Sequence, residues 1–246
     1  LKVHRAVEFY CGLINNQPMG FYSVNTLMQD AKRHGVRSKP GCVVNSQGQT
    51  TVIDDGTLRL GLNRIKGLQQ RTIDRLEETR VMRKFDSLPD FLNRVRPNKK
   101  ERRLLAAAGA LNALPEVGHR RDALWQAERL PEDDLFARAV LNEDPAPLAQ
   151  MSPVERLSTD LAIQGHSVGP HPMRLWRQKN GDICVNSADL HHLSHGTPVK
   201  IAGLVICRQR PGTAKGHCFI SLEDEYGIAN LFVPRKTFHA QRLTIT

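Results

Sequence analysis

Residues 61–80, GLNRIKGLQQRTIDRLEETR, hold the pattern on which the reading of this chain turns. A helix end leads into a tight glycine turn at Ile65 to Leu68, and a new helix follows whose apolar Ile73 and Leu76 sit three apart. About forty residues on, Lys99–Leu114, KKERRLLAAAGALNAL, repeats the plan: a basic helix, a glycine turn at Ala108 to Ala110, and a short apolar continuation. Two such units in tandem make an internal repeat. A glycine turn between helices aims backbone amides outward at the positive end of the second helix's dipole, where a phosphate fits. Such a site reads the nucleic-acid backbone and ignores base sequence.

In the first unit, Gly67 and Leu68 complete the hydrophobic-glycine-hydrophobic turn, and Lys66 and Arg71 put charge beside the amides. The plainer alternative is a helical hairpin with a glycine C-cap. In the second unit Gly109 and Ala110 hold the corresponding places, and the charge precedes the turn at Lys99, Lys100, Arg102 and Arg103. There the alternative is a solvated basic helix face.

The charge around these units gives them weight. Of the 246 residues, 35 are Lys or Arg and 25 Asp or Glu, a net charge of +10 that points to a polyanionic partner. Between Thr57 and Leu130 there are 17 basic against 9 acidic residues, so most of the excess lies in under a third of the chain. From Pro131 to Asp160 the sign reverses, with 7 acids against 2 bases, and Pro131, Pro145, Pro147 and Pro153 interrupt any long helix. That stretch reads as a linker.

Before the repeat, Ala6, Phe9, Tyr10 and Leu13 have helical spacing, and a second helix is expected from Asn25, as N-cap, to His34, with Gly35 at its C-terminal end. Val36 to Thr57 alternates and turns, as short strands do. After the linker, PVKIAGLVICRQR (198–210) alternates Val199, Ile201, Leu204 and Ile206, and Gly203 marks a bulge or sharp coil. Residues 217–234, HCFISLEDEYGIANLFVP, offer two strands joined by a polar turn. A three-stranded meander with a glycine bend suits the start of an OB-type barrel, which binds single strands on its strand face. Arg208, Arg210 and Lys215 in the intervening Pro/Gly loop would meet phosphates, and Phe219, Tyr226 and Phe232 are the aromatics available to stack on bases or fill the core. A solvated loop on a structural barrel is the alternative.

Little else suggests chemistry. His191, His192 and His195 near Cys184 lack the further ligands of a closed zinc site, although His192 and His195 would share a helical face. Glu223–Asp224–Glu225 and Asp54–Asp55 are the carboxylate clusters, and both fall at expected turns. No run of 18 apolar residues occurs, so no membrane partner is expected. Five cysteines without a CxxC pair suit a reducing cytoplasm. The opening residues have neither Met nor a signal-peptide core, and the chain reads as a piece of something longer.

Four collinear stretches carry a resemblance: NNQPMGFYSVNTLMQDAKRHGV (15–36), LRLGLNRIKGL (58–68), MSPVERLSTDLAIQGHSVGPHPM (151–173) and IAGLVICRQRPGTAKGHCFISLEDEYGIANL (201–231). They are similar to the C-terminal half of bacterial C-family DNA polymerases. RQRPGTAKG followed by LEDEYGIAN points to the error-prone, damage-associated branch. The resemblance implies a mixed α and β, multi-domain chain: the end of a fingers region over 1–56, a tandem helix-hairpin-helix DNA-binding domain over 57–130, a linker region over 131–196 and a truncated OB-fold domain over 197–246. It also implies a nucleotidyltransferase active in translesion synthesis, a bacterial cytoplasmic location, and primer-template and single-stranded DNA as partners, with contact to a sliding clamp or other damage-response proteins. The catalytic palm carboxylates would lie outside this stretch, which should then be inactive alone; no cofactor is expected here, and Mg2+ is expected for the whole polymerase. A stand-alone, non-catalytic DNA-binding or scaffold protein of repair is the competing reading.

Overall fold

Helix α1 (Ala6–Asn15) turns Val7, Tyr10 and Ile14, spaced three and four apart, onto the inner face of α2 (Val24–Arg33). The computed structural model describes residues 1–20, 22–129, 148–181 and 183–245. The start of α2 is set by Ser23, whose hydroxyl accepts from the Thr26 amide. Asn25, the expected cap, is therefore already helical; both are cap-forming types, and the hydroxyl two residues earlier takes the position. Beneath the helices lie β1 (Arg37–Lys39), β2 (Thr51–Asp54) and β3 (Thr57–Arg59), in the order β1-β3-β2, with β1 parallel and β2 antiparallel to β3. The sheet thus runs past residue 56 to Arg59, and its Leu58 is fully buried against Tyr10 and Ile14.

The repeat region builds the larger core. A 3-10 turn at Leu62–Arg64 leads through the first glycine turn into α3 (Gln70–Met82). Then come α4 (Leu88–Val95), capped by Ser87, and α5 (Lys99–Ala107), whose Asn98 and Glu101 form a reciprocal capping box. After the second glycine turn the chain passes through irregular turns to α6 (Arg120–Arg129). Ile65, Ile73, Leu76, Phe91, Leu105, Leu111 and Ala123 pack into one cluster with at most 2% exposure each. Burial of each large side chain is worth about 1.5–3 kcal/mol. The Val43 amide donates to the Ala110 carbonyl at 3.0 Å, and Arg80 donates to the carbonyls of Val43 and Ser46, so the loop after β1 is pinned to both hairpin units. At Gly61 the neighbouring backbone comes so near that a Cβ would stand 2.3 Å from the Gly48 oxygen. Only glycine permits that approach.

Of the expected linker, residues 131–147, with Pro131, Pro145 and Pro147, lie outside the described residues. The rest carries two helices, α7 (Pro153–Gln164) and α8 (Pro172–Asn180). Pro153 starts α7 instead of breaking it, because the first helical position has no amide to lose; Ser152 and Glu155 form a second capping box. Pro172 likewise stands in the first turn of α8. Last comes an antiparallel meander of β4 (Leu204–Gln209), β5 (Cys218–Glu223) and β6 (Ile228–Val233), followed by α9 (Arg235–Ala240) and the short α10 (Arg242–Ile245). The irregularity in β4 falls between Val205 and Cys207, just past Gly203, whose missing side chain lets the Glu223 carbonyl approach. The fold is thus mixed α and β, with a helical hairpin region and a three-stranded antiparallel sheet.

Candidate nucleic-acid interface

Gly67 adopts φ +88°, a left-handed conformation in which side chains are strained, and a Cβ there would press on Leu104 at 3.3 Å. The turn presents the N-terminus of α3, which has no side-chain cap and no acid in its first turn. The amides of Gly67, Gln70 and Arg71 find no acceptor among the described residues, whereas Lys66 donates to the Ile163 carbonyl and Leu68 to that of Ile65. One carboxylate is close: buried Glu101 accepts from the Gln69 amide at 3.1 Å and the Thr72 hydroxyl at 2.8 Å while also capping α5. Outside it stand cations. Lys100 reaches over the turn, its Nζ 4.0 Å from where a Cβ of Gly67 would be, and Lys66 lies along Gly165 at the end of α7. Lys66, Arg71 and Lys100 are exposed and have no ion pair among the described residues.

The second turn is built differently. Gly109, at φ +75°, ends α5 in a Schellman arrangement in which its amide bonds to the Ala106 carbonyl and that of Ala110 to Leu105. Both amides expected to face a phosphate are consumed, and no helix begins until Arg120, so no helix dipole is aimed there. The Arg120 guanidinium fills the notch over Gly109, its Nε 2.7 Å from a would-be Cβ, and its Nη1 donates to Asp160 of α7 at 2.7 Å. Of the cations before the turn, Arg103 makes a two-pronged pair with Glu128 at 2.8 Å, and Lys99 stands 3.9 Å from the same carboxylate. Arg103 holds the Glu128 carboxyl below the ordinary carboxylate range. Only Lys100 of this group joins the first hairpin.

In the sheet, Phe219 pairs across β5 and β6 with Phe232, ring centres 5.5 Å apart, and His217 continues the row 4.8 Å from Phe232. Phe219 is 42% and Phe232 57% exposed, so both belong to the solvent face; the buried aromatic here is Phe238 of α9. The period of two hides this in the sequence, since either face of an isolated strand could be the inner one. Of the loop residues, Arg208 donates to the Ile245 carbonyl, Arg210 stacks 4.4 Å above the Phe238 ring, and Lys215 stands exposed at φ +49°. Two of the three loop cations are thus anchored to the C-terminal helices.

The histidines do not assemble. A 3-10 turn ends at His192 and the chain then extends, so His192 and His195 share no helical face. Among the described residues no three His, Cys, Asp or Glu side chains are grouped to hold a metal ion. The 223–225 acids are instead an internal ion cluster. Glu223, fully buried, takes Arg33 of α2 on one oxygen; Asp224 accepts from the amides of Ser187, Tyr226 and Gly227; Glu225 faces Arg177 at 3.1 Å. These carboxylates are committed to protein partners and do not fit a Mg2+ pair. The sequence placed all three at a turn, and only Asp224 does turn chemistry. No helix of the described residues is long and apolar enough to cross a membrane.

The helix-hairpin-helix motif family matches residues 35–124, which contain both turns. The error-prone DNA polymerase of Pseudomonas aeruginosa is 39% identical over 253 residues, covering 98% of this chain and 24% of the polymerase. That of Azoarcus sp. strain BH72 is 40% identical, covering 95% and 23%, and that of Alkalilimnicola ehrlichii 40% identical, covering 100% and 24%. The chain spans about a quarter of the length of these relatives. From end to end the chain is similar to a C-terminal part of the error-prone DNA polymerases.

Proposed function

We propose that this chain is a DNA-holding part of an error-prone polymerase that acts in damage-induced translesion synthesis. The observation that carries the reading is the open N-terminus of α3, where the amides of Gly67, Gln70 and Arg71 have no described acceptor and Lys66, Arg71 and Lys100 stand outside without carboxylate partners. A duplex phosphate there would be held by backbone amides and point charges, independent of sequence. The Phe219–Phe232–His217 row would take bases of the single-stranded template, with Lys215 on its phosphates, in a sheet read as the beginning of an OB-type barrel. In this reading the stretch contributes binding and no chemistry: the Mg2+ ions of nucleotidyl transfer belong to carboxylates elsewhere in the polymerase. Contact with a sliding clamp or other damage-response proteins, and a bacterial cytoplasmic setting, follow from the family likeness.

The test is fluorescence anisotropy of the 246-residue chain with labelled duplex, single strand and primer-template junction over a salt series. A preference for the junction with a steep salt slope supports hairpin and sheet acting together. Weak binding that ignores salt overturns the reading.

A further inference from the structure

The two hairpins of the tandem are unequal in this chain. At the second, the amides of Gly109 and Ala110 are spent on capping α5, the residues that follow do not form a helix, and the glycine notch is occupied by Arg120. Arg120 is not an open cation waiting for a phosphate. Its side chain is only 13% exposed and is paired at 2.7 Å with Asp160, itself 6% exposed, whose other oxygen accepts from Ser167 at 2.6 Å. A desolvated pair of this kind is already neutralised, and prising it open would leave a buried charge. The same helix that supplies Asp160 also offers the Ile163 carbonyl to the Lys66 amide and lays its last turn, at Gly165, against the Lys66 side chain. Helix α7, outside the 35–124 motif match, therefore touches both hairpins, locking one and bracing the other.

We propose that the second hairpin is closed to DNA, with Arg120 as a positioning residue that seats α7 in the glycine notch, so that the tandem grips backbone phosphate at the first hairpin alone. The inference rests on the reading that the first hairpin holds DNA. A glutamate scan at exposed positions separates the two claims. Gln70→Glu places a carboxylate at the first turn of α3, where the helix dipole favours it although the 2.7 Å hydrogen bond from Gln70 to Asp74 is lost, so the thermal melts separate lost binding from lost folding. Asn112→Glu places the same charge three residues past Gly109. Duplex affinity is measured by anisotropy for the 246-residue chain and both variants, with thermal melts alongside.

The expected result is a loss of about tenfold for Gln70→Glu, with a shallower salt slope, and a change within about twofold for Asn112→Glu. Equal losses in both variants would overturn the closed second hairpin while leaving the first as a DNA site. A loss in Asn112→Glu alone, or in neither, would overturn this inference together with the reading on which it rests.

Discussion

Arg33 and Glu223 are 190 residues apart in sequence, yet the Arg33 guanidinium donates through both terminal nitrogens to one oxygen of Glu223, at 3.3 and 3.2 Å. The pair ties α2 to β5, and His171, the N-cap of α8, stands 3.9 Å from the other carboxylate oxygen. Because Glu223 is fully buried, removal of its partner strands a charge. Arg33→Ala should therefore cost about 3 kcal/mol in denaturant unfolding, and the double replacement Arg33→Met with Glu223→Leu should cost less than either single change. A double variant as damaged as the singles would show that the pair is not the fastening.

At the first hairpin, Lys66→Glu should weaken duplex binding alike for every sequence and lower the salt slope by about one. Anisotropy against two unrelated duplexes checks both parts. A loss confined to one duplex would point to base reading, which the geometry does not provide for.

The exposed rings of β5 and β6 make a separate forecast. Phe232→Ala removes the middle member of the His217–Phe232–Phe219 row and should cost about 1–3 kcal/mol in single-strand affinity while leaving duplex affinity in place. Competition between labelled single strand and unlabelled duplex measures the difference.

His166 makes stability depend on pH. Burial pushes its imidazole down to about 4; the Gln164 carbonyl and Asp160 pull the other way, and the nearby Arg64 and Lys66 charges depress it further. A histidine with a depressed folded pKa binds fewer protons folded than unfolded. Its contribution is therefore complete above the unfolded value, near 6.5, and is lost as pH falls toward about 4, by at most about 3 kcal/mol. Unfolding free energies at pH 7.5, 5.5 and 4.5 should fall in that order, and His166→Gln should flatten the decline. The carboxylates of Asp30, Asp90 and Asp224, each held below the usual range by hydrogen bonds that outweigh burial, act only at lower pH, since the stability they lend is lost below the ordinary carboxylate range.

Gly61→Ala should be among the most damaging single methyl additions in the chain. Its Cβ would stand 2.3 Å from the Gly48 oxygen and 2.4 Å from the Gln49 carbonyl carbon, backbone atoms that cannot rotate away. A loss of more than about 2 kcal/mol is expected in denaturant unfolding. By contrast, Gly12, with nothing within 4 Å of a Cβ and a place inside α1, should accept alanine without loss.

Local chemistry made much of the molecule legible in advance. The glycine turns at Gly67 and Gly109, the helix after the first and the helix before the second, the basic excess between Thr57 and Leu130 and the alternating strands from Leu204 each follow from a few adjacent residues, because backbone sterics, capping and side-chain period act over one or two turns. The helices expected before the first turn and after the second are instead a 3-10 turn and irregular chain. The motifs that mark the family are of the same local kind. Three features needed partners distant in sequence. Glu101 serves the capping box of α5 and the Gln69 amide at once; Arg120 reaches the Gly109 notch only because Asp160 arrives from α7; and the 223–225 acids turn inward because Arg33 and Arg177 meet them from other helices. A glycine turn states that amides are available, but whether they face solvent or are already spent depends on what packs above them. Sequence alone set the repeat and its charge. The tertiary structure decided which of its two turns is open, since the energy of a buried charge or amide is fixed by its partners and not by its neighbours along the chain.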